Sequence, residues 1–129
     1  MSKFIVQVNS PAYGSAASMN AYRFTKAAQA QGHSVIRVFF YQDGVFNSNA
    51  LNCPASDEFD LTRAWTELAN DTGLELVNCV SAALRRGILS EQDARENARE
   101  HWNLASPFVM GGLGELVTGI EQADRVVSF

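Results

Sequence analysis

The chain has 129 residues, 47% of them hydrophobic and 19% charged, which is typical of one compact domain with a single core. Its formal net charge of -4 disfavours direct binding of nucleic acid, because proteins that hold phosphates usually carry a basic face. There is no run of about 18 apolar residues and no signal peptide, so we expect no membrane span and a cytoplasmic location, where thiols stay reduced.

The first forty residues predict a strand, a helix and a second strand. "KFIVQVN" (3–9) is a short apolar run, and the turn-rich loop "SPAYGSAAS" (10–18) follows it. The helix is predicted over 17–31, and "SVIRVFFY" (34–41) returns as a strand. The apolar residues of this helix recur at roughly helical spacing: Met19, Tyr22, Phe24 and Ala27. Together these elements form a βαβ unit with a right-handed crossover.

A polar connection over 42–60 comes next, and we expect a loop of this length to be functional or to contact a partner. An amphipathic helix is predicted over 61–73 and a third strand over 74–79. The inward side of this helix is assigned to Leu61, Ala64, Trp65 and Leu68, and Gly73 ends it.

The last third of the chain continues the alternation. Ser90 and Asp93 have capping-box spacing at the start of a short charged helix (90–98). Residues 107–123 predict a brief extended stretch, a glycine turn and a helix, and 124–129 predict a final strand. Strands that alternate with helices indicate a parallel sheet covered on both faces. We therefore expect a single α/β domain over residues 1–129, with four or five strands.

Cys79 is the first candidate for chemistry because it ends the third predicted strand, where "VSAALRR" can begin a helix. Reactive groups of open α/β sheets lie beyond the carboxyl ends of the strands, and a helix N-terminus stabilises a thiolate. Arg85 and Arg86 follow about two turns later and either add positive potential or meet an acidic partner. The alternative is a buried structural cysteine, and position alone leaves the two readings equal.

The second cysteine and the histidines give weaker signals. Cys53 lies in the polar connection before Pro54, with no base or helix dipole predicted beside it, so we interpret it as an ordinary free thiol. His33 and His101 have no metal-ligand spacing with either cysteine. We expect neither a metal nor another cofactor.

Three further motifs have structural explanations. Gly112-Leu113-Gly114 resembles part of a dinucleotide fingerprint but lies near the end of the chain, where it predicts a turn before a helix. The loop 10–18 could hold a phosphate at a helix N-terminus, although a tight turn of small residues is the preferred interpretation. The carboxylates of "SDEFD" (56–60) are interpreted as helix caps.

Six segments in order resemble the TusD/DsrE family of sulfur-carrier proteins. They are "SPAYGSAAS" (10–18), "VFFYQDGVFNSNAL" (38–51), "PASDEFDL" (54–61), "CVSAALRRG" (79–87), "GLGEL" (112–116) and "DRVVSF" (124–129). The resemblance implies a flavodoxin-like fold and a sulfurtransferase whose cysteine takes up sulfane sulfur as a persulfide. Cys79 matches that cysteine, whereas Cys53 lies outside the family pattern.

The resemblance also implies partners. This chain would be the active-cysteine subunit of a heterohexamer with two related small subunits, DsrF/TusC-like and DsrH/TusB-like. Sulfur would come from a TusA-like donor and pass to a DsrC/TusE-like acceptor. We expect the connection 42–60 to lie at a subunit or partner surface.

Overall likeness favours the family branch that serves dissimilatory sulfur oxidation over the branch that feeds tRNA 2-thiouridine synthesis, although the shared motifs do not separate them. An alternative of another class is a non-catalytic flavodoxin-like module that binds flavin or a nucleotide through the loop 10–18. A purely structural subunit with an inert Cys79 is a third possibility.

Overall fold

The computed structural model describes residues 1–129 and contains one parallel sheet of five strands. In spatial order the strands are β4 (Val109–Gly111), β3 (Glu75–Cys79), β2 (Ser34–Phe40), β1 (Lys3–Val8) and β5 (Arg125–Ser128). This confirms the predicted single α/β domain. None of the helices combines the length and the apolar character that a membrane span requires.

Five α-helices and one 3-10 helix connect the strands. They are α1 (Ala17–Ala30), the 3-10 helix (Gln42–Ser48), α2 (Leu61–Thr72), α3 (Val80–Arg85), α4 (Glu91–Glu96) and α5 (Leu113–Gln122). The first four strands follow one another across the sheet, and β5 then returns to pair with β1. This order differs from the 2-1-3-4-5 order of flavodoxin itself.

Helices cover both faces of the sheet, as predicted. Neighbouring strand residues point to opposite faces, so Ile5 and Val6 of β1 define the two sides. On the Val6 side, Phe40 packs edge-on against Trp65 of α2, with 5.4 Å between ring centroids. On the Ile5 side, α5 approaches so closely that a Cβ on Gly119 would lie 2.5 Å from the Ile5 side chain.

Local capping confirms the predicted starts of two helices and the predicted end of one of them. The Asp60 carboxylate accepts a hydrogen bond from the Arg63 backbone N–H at 3.0 Å, which makes this residue of "SDEFD" the N-cap of α2. Gly73 ends α2 in a left-handed conformation. Ser90 and Asp93 form the capping box of α4, which is shorter than predicted and ends at Glu96.

The apolar residues that recur at helical spacing in α1 are not the ones that the helix buries most deeply. The residues that α1 buries fully are small: Ser18, Ala21, Thr25 and Ala28. Met19, Tyr22 and Phe24 are only partly buried beside this stripe, and Ala27 is exposed. Small side chains let the helix axis approach the sheet, while the large rings extend sideways over the core.

The connection 42–60 was expected to be a loop, and the structure corrects this for its first part. Residues 42–48 form the 3-10 helix, in which Val45, Asn47 and Ser48 are fully buried. Gly44 makes this burial possible, because a Cβ there would lie 1.9 Å from the Val8 carbonyl oxygen. The segment thus packs directly on the carboxyl end of β1, and the surface part of the connection begins near Asn49.

Candidate functional site

Cys79 is the last residue of β3 and lies at the carboxyl edge of the sheet, where it pairs with Gly111 of β4. It is also the N-cap of α3, so the predicted change from strand to helix at this residue is confirmed. Because α3 has only six residues, its aligned peptide dipoles contribute little to stabilising a thiolate. The side chain is enclosed, with 4% of the residue exposed.

The residue before the cysteine is fixed by a buried polar contact. The Asn78 amide Nδ2 donates to Ser48 Oγ at 2.6 Å, and Ser48 Oγ donates in turn to the Val45 carbonyl at 2.8 Å. Because the serine hydroxyl hydrogen is already used, its oxygen must accept from the Asn78 amide, which determines the amide orientation. The Asn78 Oδ1 atom has no hydrogen-bond partner. The end of β3 is therefore tied to the 3-10 helix.

A second buried side chain, Asn47, holds the 3-10 helix in place. Its Nδ2 atom contacts the Ser10 carbonyl (3.2 Å), Ser18 Oγ (3.1 Å) and the Gly44 carbonyl (2.9 Å). Its Oδ1 atom accepts from the Trp65 indole at 3.2 Å. One side chain thus joins the loop after β1, α1, α2 and the 3-10 helix.

These contacts use polar groups of the loop 10–18 that might otherwise face a ligand. Ser18 is fully buried, and its hydroxyl donates to the Ser10 carbonyl at 2.7 Å. Ser15 Oγ accepts from the Ala17 backbone N–H at 3.3 Å. The arrangement agrees with the preferred interpretation of a tight turn of small residues.

The two arginines after Cys79 have different surroundings. Arg86 donates from Nε to Asp43 Oδ1 at 2.8 Å and from Nη1 to the Ala82 carbonyl at 3.1 Å. Its charge is therefore balanced by the 3-10 helix. Arg85 is exposed and takes part in none of the ion pairs of the chain. Of the two predicted cations, only Arg85 is free to meet an acidic partner.

The other sequence candidates lie in several places. Cys53 is exposed, and its thiol donates to the Leu51 carbonyl at 3.3 Å. His33 accepts from the Ser2 backbone N–H through Nδ1 at 3.0 Å, whereas His101 is exposed. Gly112 is the N-cap of α5, which confirms the predicted turn before a helix.

Sequence reasoning did not identify the polar residues that position Cys79. Asn47, Ser48 and Asn78 are each fully buried. Asn78 carried a signal, because it is the only polar residue in the inner part of the apolar run "LELVNC". Asn47 and Ser48 carried none, since polar residues in a predicted loop are expected to face solvent.

Comparison with known proteins supports the resemblance found in the sequence. The DsrE/DsrF-like family matches residues 2–129. A sulfurtransferase TusD homolog of Aliivibrio fischeri is 51% identical over 122 residues, which cover 95% of this chain and 94% of the relative. The sulfurtransferase TusD of Serratia proteamaculans is 45% identical over 129 residues and 100% of both chains.

A solved structure confirms the fold independently. The crystal structure of the ychN protein from E. coli superposes with a TM-score of 0.79 over 100% of both chains, at 21% sequence identity. The family match covers nearly every residue, and the similarity to TusD proteins extends over the whole chain. The protein is therefore a member of the DsrE/DsrF-like family, within which it is similar to TusD proteins.

Proposed function

We propose that the protein is a sulfurtransferase that carries sulfane sulfur as a persulfide on Cys79. The observation that carries this proposal is the place of Cys79 at the carboxyl edge of the sheet, in a chain 51% identical to a sulfurtransferase TusD homolog. The other thiol, Cys53, lies in an exposed connection outside the motif that the family resemblance rests on.

The transfer needs two steps of thiol exchange chemistry. The Cys79 thiolate attacks the outer sulfur of a donor persulfide, the donor S–S bond breaks, and the donor leaves as a thiolate. Cys79 then holds one extra sulfur. An acceptor thiolate attacks that outer sulfur, the bond between Cys79 Sγ and the outer sulfur breaks, and the Cys79 thiolate is released. Neither step needs an external oxidant or reductant, because one sulfur atom moves between two thiols.

The enclosure of Cys79 suits a carrier of a labile group. Oxidation of sulfur follows the exposure of the thiolate, so a buried persulfide is lost more slowly to oxidants in solution. The same enclosure requires that donor and acceptor cysteines come to the carboxyl edge of the sheet. Sulfur transfer is then restricted to partners that dock there.

The relatives favour one branch of the family. They carry the TusD name, and TusD proteins form the branch that the sequence resemblance connects with tRNA 2-thiouridine synthesis. We therefore assign the chain to that branch, in place of the sulfur-oxidation branch that overall likeness first suggested. A TusA-like donor, a TusE-like acceptor and a cytoplasmic location belong to this proposal.

Association with two related small subunits in a heterohexamer is also part of the proposal. The outward side of α5 is apolar, with Leu113, Val117 and Ile120 all exposed, although the opposite side already packs on the sheet. Exposed apolar residues that form one stripe along a helix, as these three do, typically mark a contact surface. Subunit contact at α5 would provide the missing cover.

A complementation experiment tests the proposed function. The chain is expressed in a bacterium that lacks its own TusD, and 2-thiouridine is measured in hydrolysed tRNA. We expect the wild-type chain and Cys53→Ser to restore the modification and Cys79→Ser to leave it absent. Restoration by Cys79→Ser would exclude Cys79 as the carrier. Failure of a wild-type chain that still accepts sulfur on Cys79 would exclude the tRNA branch.

A further inference from the structure

A small groove lies beside the C-terminal end of α3, and we call it the Trp102 groove. Its volume is about 150 Å³, and it is lined by Leu51, Gly87, Leu89, His101, Trp102 and Asn103. Asn103 holds its walls together, donating from Nδ2 to the Gly87 carbonyl at 3.1 Å and accepting at Oδ1 from the Leu89 backbone N–H at 2.9 Å. The groove is therefore formed before any partner arrives.

The groove is apolar and open in a way that suits one anchoring side chain. Trp102 is 47% exposed and Leu51 is 69% exposed, although both are large apolar residues. A space of this volume is about that of one benzene-sized ring. Exposed tryptophans in small pockets are typical of the few residues that dominate the energy of a protein interface.

The chain segments that lead into the groove's lining residues carry two exposed arginines, in a chain with a net charge of -4. Arg85 lies two residues before Gly87, and Arg99 lies two residues before His101; both are exposed and in no ion pair. The nearby Glu100 offsets one of these charges. The excess of arginine favours a partner segment that carries a carboxylate next to its apolar anchor.

The groove is also within reach of Cys79. The six residues of α3, which span about 9 Å along a helix, and then Arg86 separate Cys79 from Gly87 at the groove. An extended chain covers that distance in about three residues. A segment anchored by one side chain in the groove can thus bring a cysteine three residues away to the Cys79 thiol.

Building on the proposed function, we propose that the Trp102 groove docks the polypeptide that exchanges sulfur with Cys79. The partner segment is extended, carries a carboxylate beside an aromatic or branched apolar anchor, and has its cysteine about three residues from that anchor. The transfer moves one sulfur from Cys79 to the partner cysteine. The partner thiol loses its proton when it attacks, and the released Cys79 thiolate takes up a proton.

The test measures sulfur transfer from the full chain to synthetic acceptors. All variants are made in a chain that already contains Cys53→Ser, so that only Cys79 can carry sulfur. A small-molecule persulfide donor loads Cys79 with sulfur before each measurement. One acceptor is an acetylated peptide with Asp before Phe and Cys three residues after Phe. In the matched control peptide, Asn replaces the Asp and Gly replaces the Phe. N-acetylcysteine amide is a second control, a small acceptor that does not need the groove.

We expect the Asp-Phe peptide to remove sulfur at least about tenfold faster than its control. Trp102→Ala, Leu51→Ala and Arg85→Glu should each reduce this preference, while transfer to N-acetylcysteine amide stays unchanged. Val126→Ala and Arg125→Glu, which alter exposed residues elsewhere, should keep the preference.

Three results would overturn the proposal. The first is a peptide preference that survives both Trp102→Ala and Leu51→Ala. The second is a smaller assembly of the Trp102→Ala chain in sedimentation, which would make the groove a contact between subunits. The third is no sulfur on Cys79 at all, and this result alone also removes the proposed function.

Discussion

Asn78, the residue before Cys79, donates a 2.6 Å hydrogen bond to Ser48, and this bond joins the end of β3 to the 3-10 helix. Ser48→Ala would remove the acceptor and leave a buried amide without a partner. We expect the free energy of unfolding to fall by about 1–3 kcal/mol. Urea denaturation measures the change, with Thr118→Ala as the control, because the Thr118 hydroxyl is exposed. Equal stability losses for the two variants would contradict this assignment.

Gly44 and Val8 are in such close contact that no side chain fits between them. A Cβ at position 44 would lie 1.9 Å from the Val8 carbonyl oxygen, and a backbone atom cannot move aside as a flexible side chain would. Gly44→Ala should therefore destabilise the fold by about 3 kcal/mol or more.

Gly114→Ala is the matched control for this change. Position 114 lies in α5, and a Cβ added there would have no neighbouring atom within 4 Å, so alanine should be neutral or slightly stabilising. Thermal unfolding of the two variants compares them directly. A Gly44→Ala protein as stable as Gly114→Ala would show that the 3-10 helix does not pack on β1.

Arg37 connects three elements on the α5 side of the sheet. Its Nη2 atom lies 2.7 Å from a Glu75 carboxylate oxygen, and its Nη1 atom donates to the Glu115 carbonyl at 2.6 Å. The side chain is only 12% exposed. Arg37→Met keeps most of the apolar stem but removes these bonds, so we expect a loss of about 1–3 kcal/mol and faster amide exchange in α5.

The exposed pair between Arg63 and Glu67 is the control for Arg37. Both side chains face solvent on α2, so Arg63→Met should change stability by less than about 0.5 kcal/mol. Unchanged amide exchange in α5 of the Arg37→Met chain would mean that this arginine does not anchor the helix.

The two thiols should react at different rates with a bulky thiol reagent. Cys53 is exposed and Cys79 is buried, so we expect Ellman's reagent to modify Cys53 at least about tenfold faster in the folded chain. Cys53→Ser and Cys79→Ser assign the two phases, and unfolding in urea should make the rates similar. A fast phase that persists in Cys53→Ser would show that Cys79 is open to solvent.

Local chemistry explains why much of the fold was predictable. Asp60 and Gly73 mark the ends of α2 through capping and a left-handed turn, and these are properties of single residues. The place of Cys79 at the end of a strand followed from the change in pattern after "LELVNC". Such features depend on neighbours in sequence, so the sequence alone predicts them.

Features that depend on distant residues were not predictable. The buried side of α1 contains Ala21 and Thr25, because small residues allow the helix to approach the sheet closely. A hydrophobicity pattern instead assigns the larger aromatic residues to the buried side. The burial of Asn47 becomes visible only when Ser10, Ser18 and Trp65 come together around it. The return of β5 to pair with β1 is likewise a long-range contact.

The central claim is that Cys79 carries sulfur, and peptide mass spectrometry tests it most directly. The purified chain is incubated with a persulfide donor, alkylated and digested, beside Cys79→Ser and Cys53→Ser. We expect a gain of about 32 Da on the peptide that contains Cys79, present in Cys53→Ser and absent in Cys79→Ser. Added sulfur found only on Cys53, or sulfur retained by Cys79→Ser, would contradict the account.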